Sequence, residues 1–305
     1  MTSDFKAFDL QVNGYAGVDF NSDGLKVEAL RRAVDLMVSH GTERFLATVI
    51  SDSPEKMQRR IRALVDCSRA DTEIGRRMTG IHIEGPFLNP VDGYRGAHPL
   101  HAITDATPDA MDRLLEAGDG TVRLVTLAPE CDARFATTRY LVDKGIKVAA
   151  GHCNPSLEEL EGAIDAGLSI FTHLGNGCPM MMHRHDNIVQ RVLSLADRLW
   201  ITLIADLAHV PRPAFENYIQ LAGLDRVIVI TDAISASGLG PGNYRLGDWE
   251  LAVGEDLVAR SPDGSHFVGS CSTMASVQAN LRAVGFSVKE IAKLVWENAN
   301  TALEC

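Results

Sequence analysis

Eight short apolar runs, each followed by a stretch of helical period, predict an α/β protein closed into a (β/α)8 TIM barrel. The runs are rich in β-branched residues. They lie at 7–12 (AFDLQV), 44–50 (RFLATVI), 79–84 (TGIHIE), 122–128 (VRLVTLA), 146–151 (IKVAAG), 168–173 (LSIFTH), 200–206 (WITLIAD) and 227–232 (VIVITD). Their starts are spaced by 22 to 43 residues, the size of one strand plus one helix. At 305 residues the chain is slightly longer than the roughly 250 typical of such barrels. An open doubly wound sheet is the runner-up. It would carry a Gly-rich phosphate turn after its first strand, and GYAGVD at that place is not GxGxxG.

The intervening segments justify the helices. Residues 25–40 place Leu30, Ala33, Val34 and Met37 on one face at i, i+3, i+4, i+7 spacing. Ser53-Pro54 and Thr107-Pro108 read as N-caps with proline at the first helical position. Ser156 with Glu159 is a capping box opening a helix over 157–166. Further helices are expected over 211–222 and 273–303. One segment breaks the rhythm: residues 243–270 alternate apolar and polar residues and contain Asp263-Gly264, a hairpin-turn signal. They predict a small β-excursion after strand 8 within a single barrel domain over 1–305.

Composition narrows the function classes. Hydrophobic content of 46%, 23% charged residues and a mean hydropathy near zero are those of a globular chain. Twenty-nine basic against 40 acidic residues give a net charge of −11, which argues against nucleic acid or an anionic membrane as partner. The start lacks the apolar core of a signal peptide, and no run approaches a membrane span. The six cysteines are scattered without CxxC pairs, which fits a reducing cytoplasm.

Polar residues at the C-terminal ends of barrel strands are the candidates for chemistry, because that face carries the active site in such barrels. Strand 1 ends Gln11-Val12-Asn13, and strand 3 carries His82 and Glu84 on one face. Strand 5 ends at His152 and strand 6 at His173. Strand 7 ends at Asp206 with His209 just beyond, and strand 8 at Asp232. Each alone reads as an ordinary hydrogen-bonding residue. Several converging on one mouth shift the balance, since burying that many unpaired polar groups is costly. Glu84, His152 and His173 supply the two imidazoles and one carboxylate of a catalytic zinc that keeps one position open. Asp232 is then placed to take a proton from the attacking water, with Asp206 as the competing choice.

At these residues the chain resembles the N-acetylglucosamine-6-phosphate deacetylase family of the amidohydrolase superfamily. The motifs are DLQVNGYAGVDFN at 9–21, GIHIEGPFLNP at 80–90, GAH at 96–98, GHCNPS at 151–156 and THLGNGCP at 172–179. Arg184, ADLAHV at 205–210, ITDAISASG at 230–238 and GSCSTM at 269–274 continue the series. They follow the family's order over nearly the whole chain. The resemblance implies metal ligands at Glu84, His152 and His173 and a general base and acid at Asp232. It implies substrate contacts at Ala97, His98, Asn176, Gly177, Arg184, Asp206 to His209, and Phe267, Val268 and Gly269. Gln11-x-Asn13 stands where two-metal members of the superfamily carry His-x-His, which implies one divalent ion, zinc.

The implied reaction is hydrolysis of the acetamide of N-acetylglucosamine 6-phosphate, with a homodimer implied as well. The alternative is a related amidohydrolase acting on another N-acyl sugar, an N-acyl amino acid or a cyclic amide. Its motive is a departure: His183-Arg184-His185-Asp186-Asn187 replaces the Pro-Gly turn that follows this arginine in relatives. His185 and Asp186 would extend substrate contacts, or else belong to a solvated loop with a helix cap at Asp186 or Asn187. DLAH replaces the usual Asp-Gly-x-His, and most of the β-sandwich that relatives build from both termini is expected to be missing.

Overall fold

A computed structural model describes residues 6–246, 249–255, 257–261 and 267–304. Eight parallel strands run in sequence order around one sheet: β1 Ala7–Val12, β2 Thr42–Ile50, β3 Met78–Glu84, β4 Val122–Leu127, β5 Lys147–Ala150, β6 Ile170–Phe171, β7 Trp200–Ile204 and β8 Val227–Ile230. Consecutive order with parallel pairing is the barrel arrangement, not the doubly wound one. Closure is a short seam. Val12 bridges Ala233 just past β8, and the Asn13 N–H donates to the Ala233 carbonyl at 2.7 Å.

Local sequence accounts for the helices that cover the strands. α1 (Val27–Ser39) buries Leu30, Ala33, Val34 and Met37, the stripe its period predicts. α2 (Pro54–Ala70) begins on proline, but Ser53 fills its cap position without a side-chain hydrogen bond. α3 (Thr72–Arg77) is capped by Asp71, and α4 (Pro108–Gly118) by Thr107, which accepts the Ala110 N–H. α5 (Ala136–Asp143) follows, and α6 (Leu157–Asp165) opens on the Ser156–Glu159 capping box. α7 (Ile188–Ser194), α8 (Arg212–Ala222) and α9 (Met274–Val284) complete the wall before a last helical stretch, Val288–Glu304.

Period-two alternation divides the core. Ile81 and Ile83 of β3, Val125 and Leu127 of β4, and Val227 and Val229 of β8 belong to the buried cluster that includes the helix stripes. The alternate residues Leu124, Ile228 and Ile230 cluster instead with Phe8, Leu10 and Leu46 inside the barrel. Ala299, Ala302 and Leu303 join them from the last helix. That helix caps the start of the strands, since Asn298 Nδ2 donates to the carbonyls of Val227 at 2.6 Å and Leu224 at 2.8 Å. Toward the other end the interior turns polar. His82 Nε2 meets Thr126 Oγ1 at 2.7 Å, and Thr126 meets Thr172 Oγ1 at 2.8 Å. Burial pushes the His82 imidazole down to about 4, so it is neutral and serves this layer.

After β8 the chain makes the expected excursion, an antiparallel sheet of β9 (Gly242–Leu246), β10 (Trp249–Val253) and β11 (Ala259–Arg260). Leu251, Val253, Ala259 and Val268 pack on Ile234 and Ala236, so the excursion covers the loop that carries Asp232. The Asp263-Gly264 turn signal lies outside the described residues.

Candidate active site

Four of the singled-out side chains leave the ends of different strands and meet at one mouth. Glu84 is the last residue of β3; His152, His173 and Asp232 each stand two residues past β5, β6 and β8. All three of the latter adopt left-handed backbone, with φ of 51°, 35° and 51°. Non-glycine residues hold that conformation only where their surroundings over-determine it, which is typical of functional sites.

Glu84 is the hub. Its Oε1 lies 2.9 Å from His173 Nε2, 3.4 Å from His152 Nε2 and 3.0 Å from the donating Gln11 Nε2. Burial alone would raise its carboxyl. The hydrogen bonds and charges of His152 and His173 instead hold it well below the usual carboxylate range. His98 arrives from the loop after β3, with Nε2 4.0 Å from Glu84 Oε2 and Nδ1 2.8 Å from Ser51 Oγ. Its ring packs edge-on against His152. Burial, aided by His152, drives its imidazole down to about 3.

Glu84, His98 and His152 offer ligand atoms that all lie within 4.8 Å of one another. The compact set therefore includes His98, expected only as a substrate contact, while His173 is hydrogen-bonded to Glu84 beside it. Donor chemistry suits a divalent cation. His152 Nδ1 must carry its proton, because it bonds to the Tyr94 carbonyl at 2.8 Å, which leaves the Nε2 lone pair free to ligate. His173 Nδ1 is buried without a hydrogen-bond partner. Two glycines make the fit close: a Cβ on Gly96 would meet His152 Cε1 at 2.9 Å, and one on Gly177 would meet His152 Nδ1 at 2.8 Å. Both have positive φ, so glycine is required there twice over.

Asp232 stands past β8 at the same mouth, near enough to feel the charge of Glu84, and is partly buried. Asn13 Nδ2 donates to its Oδ1 at 2.7 Å. Burial and the charge of Glu84 push its carboxyl up to about 6, against the pull of His173 and the Asn13 bond. Its base is fixed from below. Asp9, buried in β1, accepts the Thr231 hydroxyl at 2.5 Å and the Thr231 N–H at 3.2 Å. The competing carboxylate, Asp206, is bonded to its own loop: its Oδ2 accepts His209 Nδ1–H at 2.6 Å, and its Oδ1 accepts the Ala208 and His209 N–H groups. Burial would raise Asp206, but these donors hold it low.

The remaining residues expected to contact substrate lie in the loops that follow the strands. His209 stacks near Phe267, with ring centroids 4.8 Å apart, and Phe267 is exposed. Val268 is wholly buried in the excursion's core, so only its backbone could meet a ligand. Gly269 and Ala97 are partly accessible. Asn176 folds back, its N–H donating to the His173 carbonyl at 2.9 Å. Arg184 is exposed on the loop before α7, with Met180 and Met181 exposed just before it. In that loop Asn187 caps α7 through the Gln190 N–H, Asp186 pairs with Arg191, and His183 Nδ1 accepts the Asp186 N–H. His185 and Asp186 thus belong to an exposed capping loop. Leu207, in the DLAH stretch, holds a left-handed φ of 64°.

Sequence reasoning missed Ser51, Tyr94 and Glu130, which orient His98, His152 and their loops. Only Glu130 had a legible signal, an acid next to a proline at a strand's C-terminal end.

Comparison with known proteins agrees with this geometry. No family model matches the chain. It is 30% identical over 300 residues to N-acetylglucosamine-6-phosphate deacetylase of Lysinibacillus sphaericus, covering 97% of this chain and 75% of the relative. It is 28% identical over 287 residues to N-acetylgalactosamine-6-phosphate deacetylase of Escherichia coli O157:H7, covering 92% and 73%. A solved N-acetyl-D-glucosamine-6-phosphate deacetylase of Mycobacterium smegmatis, an aspartate-to-alanine mutant in complex with N-acetyl-D-glucosamine-6-phosphate, superposes with a TM-score of 0.87 at 30% identity. That match covers 98% of this chain and 77% of the other. At 30% identity over nearly the whole chain, and with the barrel shared, the chain belongs to the N-acetylglucosamine-6-phosphate deacetylase family of the amidohydrolase superfamily.

Proposed function

We propose that this protein hydrolyses the acetamide of N-acetylglucosamine 6-phosphate, giving glucosamine 6-phosphate and acetate. The observation that carries the reading is the meeting of Glu84, His98, His152 and His173 near Asp232 at one barrel mouth. Glu84, His152 and His173, with His98 within reach, would hold a single divalent ion, zinc, which supplies Lewis-acid activation of water and carbonyl when bound. Gln11 and Asn13 are engaged with Glu84 and Asp232 and offer no imidazole, which supports one ion over two.

Asp232 accepts the proton of the attacking water. A carboxyl at about 6 is ionised at neutral pH yet basic enough to take that proton, near the optimum for general catalysis. Asn13 donates to Oδ1 and so fixes the orientation of the carboxylate that takes the proton. The same carboxyl then returns the proton to the leaving amine. His209 is held in one orientation beside the mouth by Asp206, whose Oδ2 accepts from its Nδ1. Arg184 is the cationic anchor for the phosphate in a protein of net charge −11.

N-acetylgalactosamine 6-phosphate is the second reading, because the galactosamine-specific relative matches almost as well. The family resemblance extends to a homodimer, and exposed Met180 and Met181 beside Arg184 offer the apolar surface such a contact would cover. A cytoplasmic location accords with the free Cys67, Cys131, Cys153 and Cys178. Among the described residues no helix is long and apolar enough to cross a membrane.

One experiment tests the assignment: metal analysis with acetate release across N-acetylhexosamines, each with and without a 6-phosphate. Release from N-acetylglucosamine 6-phosphate with one equivalent of metal is expected. Preference for an unphosphorylated sugar, or two metal equivalents, would refute it.

A further inference from the structure

The loops that follow β3, β4 and β5 meet at one carboxylate that no step above uses. Glu130 lies in the tight turn Pro129–Cys131 directly after β4, and its Oε2 is buried without a hydrogen-bond partner. Its Oε1 accepts two bonds. Asn89 Nδ2 reaches it at 2.8 Å from the β3 loop, and the Asn154 N–H at 2.5 Å from the β5 loop. Asn89 in turn donates its backbone N–H to the His152 carbonyl at 3.0 Å. Arg191 clamps the far side, donating to Asn154 Oδ1 at 3.1 Å and to the Pro155 carbonyl at 2.8 Å.

His152 is thereby bracketed along its whole length. Its ring is pinned by the Tyr94 carbonyl, its own carbonyl by Asn89, and the chain two residues on by Glu130. Such bracketing is what a left-handed φ of 51° needs in order to persist. Burial pushes the Glu130 carboxyl up, opposed by the Asn154 and Asn89 donors, so an uncharged acceptor of the same shape can stand in for it.

We infer that Glu130 is a positioning residue for His152, acting through Asn89 and Asn154 without touching substrate. The inference rests on His152 being a metal ligand. Outer partners of this kind set ligand orientation, and their loss costs about 10- to 100-fold in metal affinity or activity. Glu130→Gln keeps an oxygen for both donors and places its amide at the orphaned position. Glu130→Ala removes the bridge, and Asn89→Ala cuts it from the other end should Glu130→Ala fail to fold.

The test is zinc affinity of the full chain, measured by competition with a chromophoric chelator, alongside kcat and KM at saturating zinc. Glu130→Ala is expected to lose about 10- to 100-fold in zinc affinity, and Asn89→Ala about 3- to 10-fold. Glu130→Gln is expected to stay within about threefold of wild type, with KM nearly unchanged in all three. Wild-type affinity in both alanine variants would overturn the inference, as would Glu130→Gln losing as much as Glu130→Ala. Wild-type protein that binds no zinc would instead refute the metal site, and this inference with it.

Discussion

Glu84 at the end of β3 and Asp232 just past β8 are carboxylates of the same mouth, and their surroundings drive them apart. Glu84 collects donors from Gln11, His152 and His173 and is held ionised far below its ordinary range. Among the described residues Asp232 has one side-chain donor, Asn13, and it is buried near the charge of Glu84, so its carboxyl rises to about 6. The first environment favours a fixed negative charge, and the second favours the proton exchange proposed for Asp232. Opposite environments for two titratable groups are how a single site divides ligand and acid–base roles.

The largest expected effect falls on the proton side. Asp232→Asn should lower kcat by about 10²–10⁴ while leaving metal content at the wild-type level. If Asp206→Asn is the dead variant and Asp232→Asn remains active, the two aspartates have exchanged roles. Next comes the ligand side. Glu84→Gln, like His152→Ala, should cost at least about 100-fold in metal affinity, read by chelator competition. Retained metal with lost turnover would place Glu84 on the proton side and dissolve the contrast.

Asp9 sharpens the comparison from beneath. Burial lifts its carboxyl from 3.8 to about 7, against three donors from Thr231 and Gln11. A raised acid stabilises the fold fully below its unfolded value, and that contribution is lost as pH climbs through about 7. Wild type should therefore lose about 2 kcal/mol relative to Asp9→Asn between pH 4 and 8 in denaturant titrations, roughly half the ceiling the shift allows. A pH-independent difference would mean that Asp9 titrates alike folded and unfolded.

The smallest effect concerns Asn13. Its donor favours the ionised form of Asp232, so Asn13→Ala raises that carboxyl further. A base must be deprotonated to work, so the acid limb of kcat/KM should move up by about one pH unit, with the plateau at higher pH nearly kept. An unmoved limb would separate Asp232 from the pH profile.

The local elements were legible residue by residue. The α1 stripe, the Thr107 cap and the Ser156–Glu159 box all depend on residues within one helical turn of each other, and the chain folds as that spacing predicts. Glu84, His152, His173 and Asp232 were legible for a related reason: a strand's last polar residue is visible without its neighbours. His98 was legible only through the family motif, as a substrate contact, and not as a neighbour of Glu84: it sits in a loop 14 positions past Glu84 and reaches it only because the chain turns back over the mouth. The different surroundings of Asp206 and Asp232 were not legible either. Both end a strand, and only the packed structure puts His209 on the first and Asn13 on the second.

By itself, then, the sequence determined which segments are strands and helices and which side chains stand at the strand ends, because periodicity and capping act over a few residues. Barrel closure decided the rest. Which imidazole meets Glu84, which carboxyl rises to about 6, and why His152 holds a left-handed turn are settled by contacts between loops far apart in the chain. Charge and burial act across space, and no local pattern encodes them.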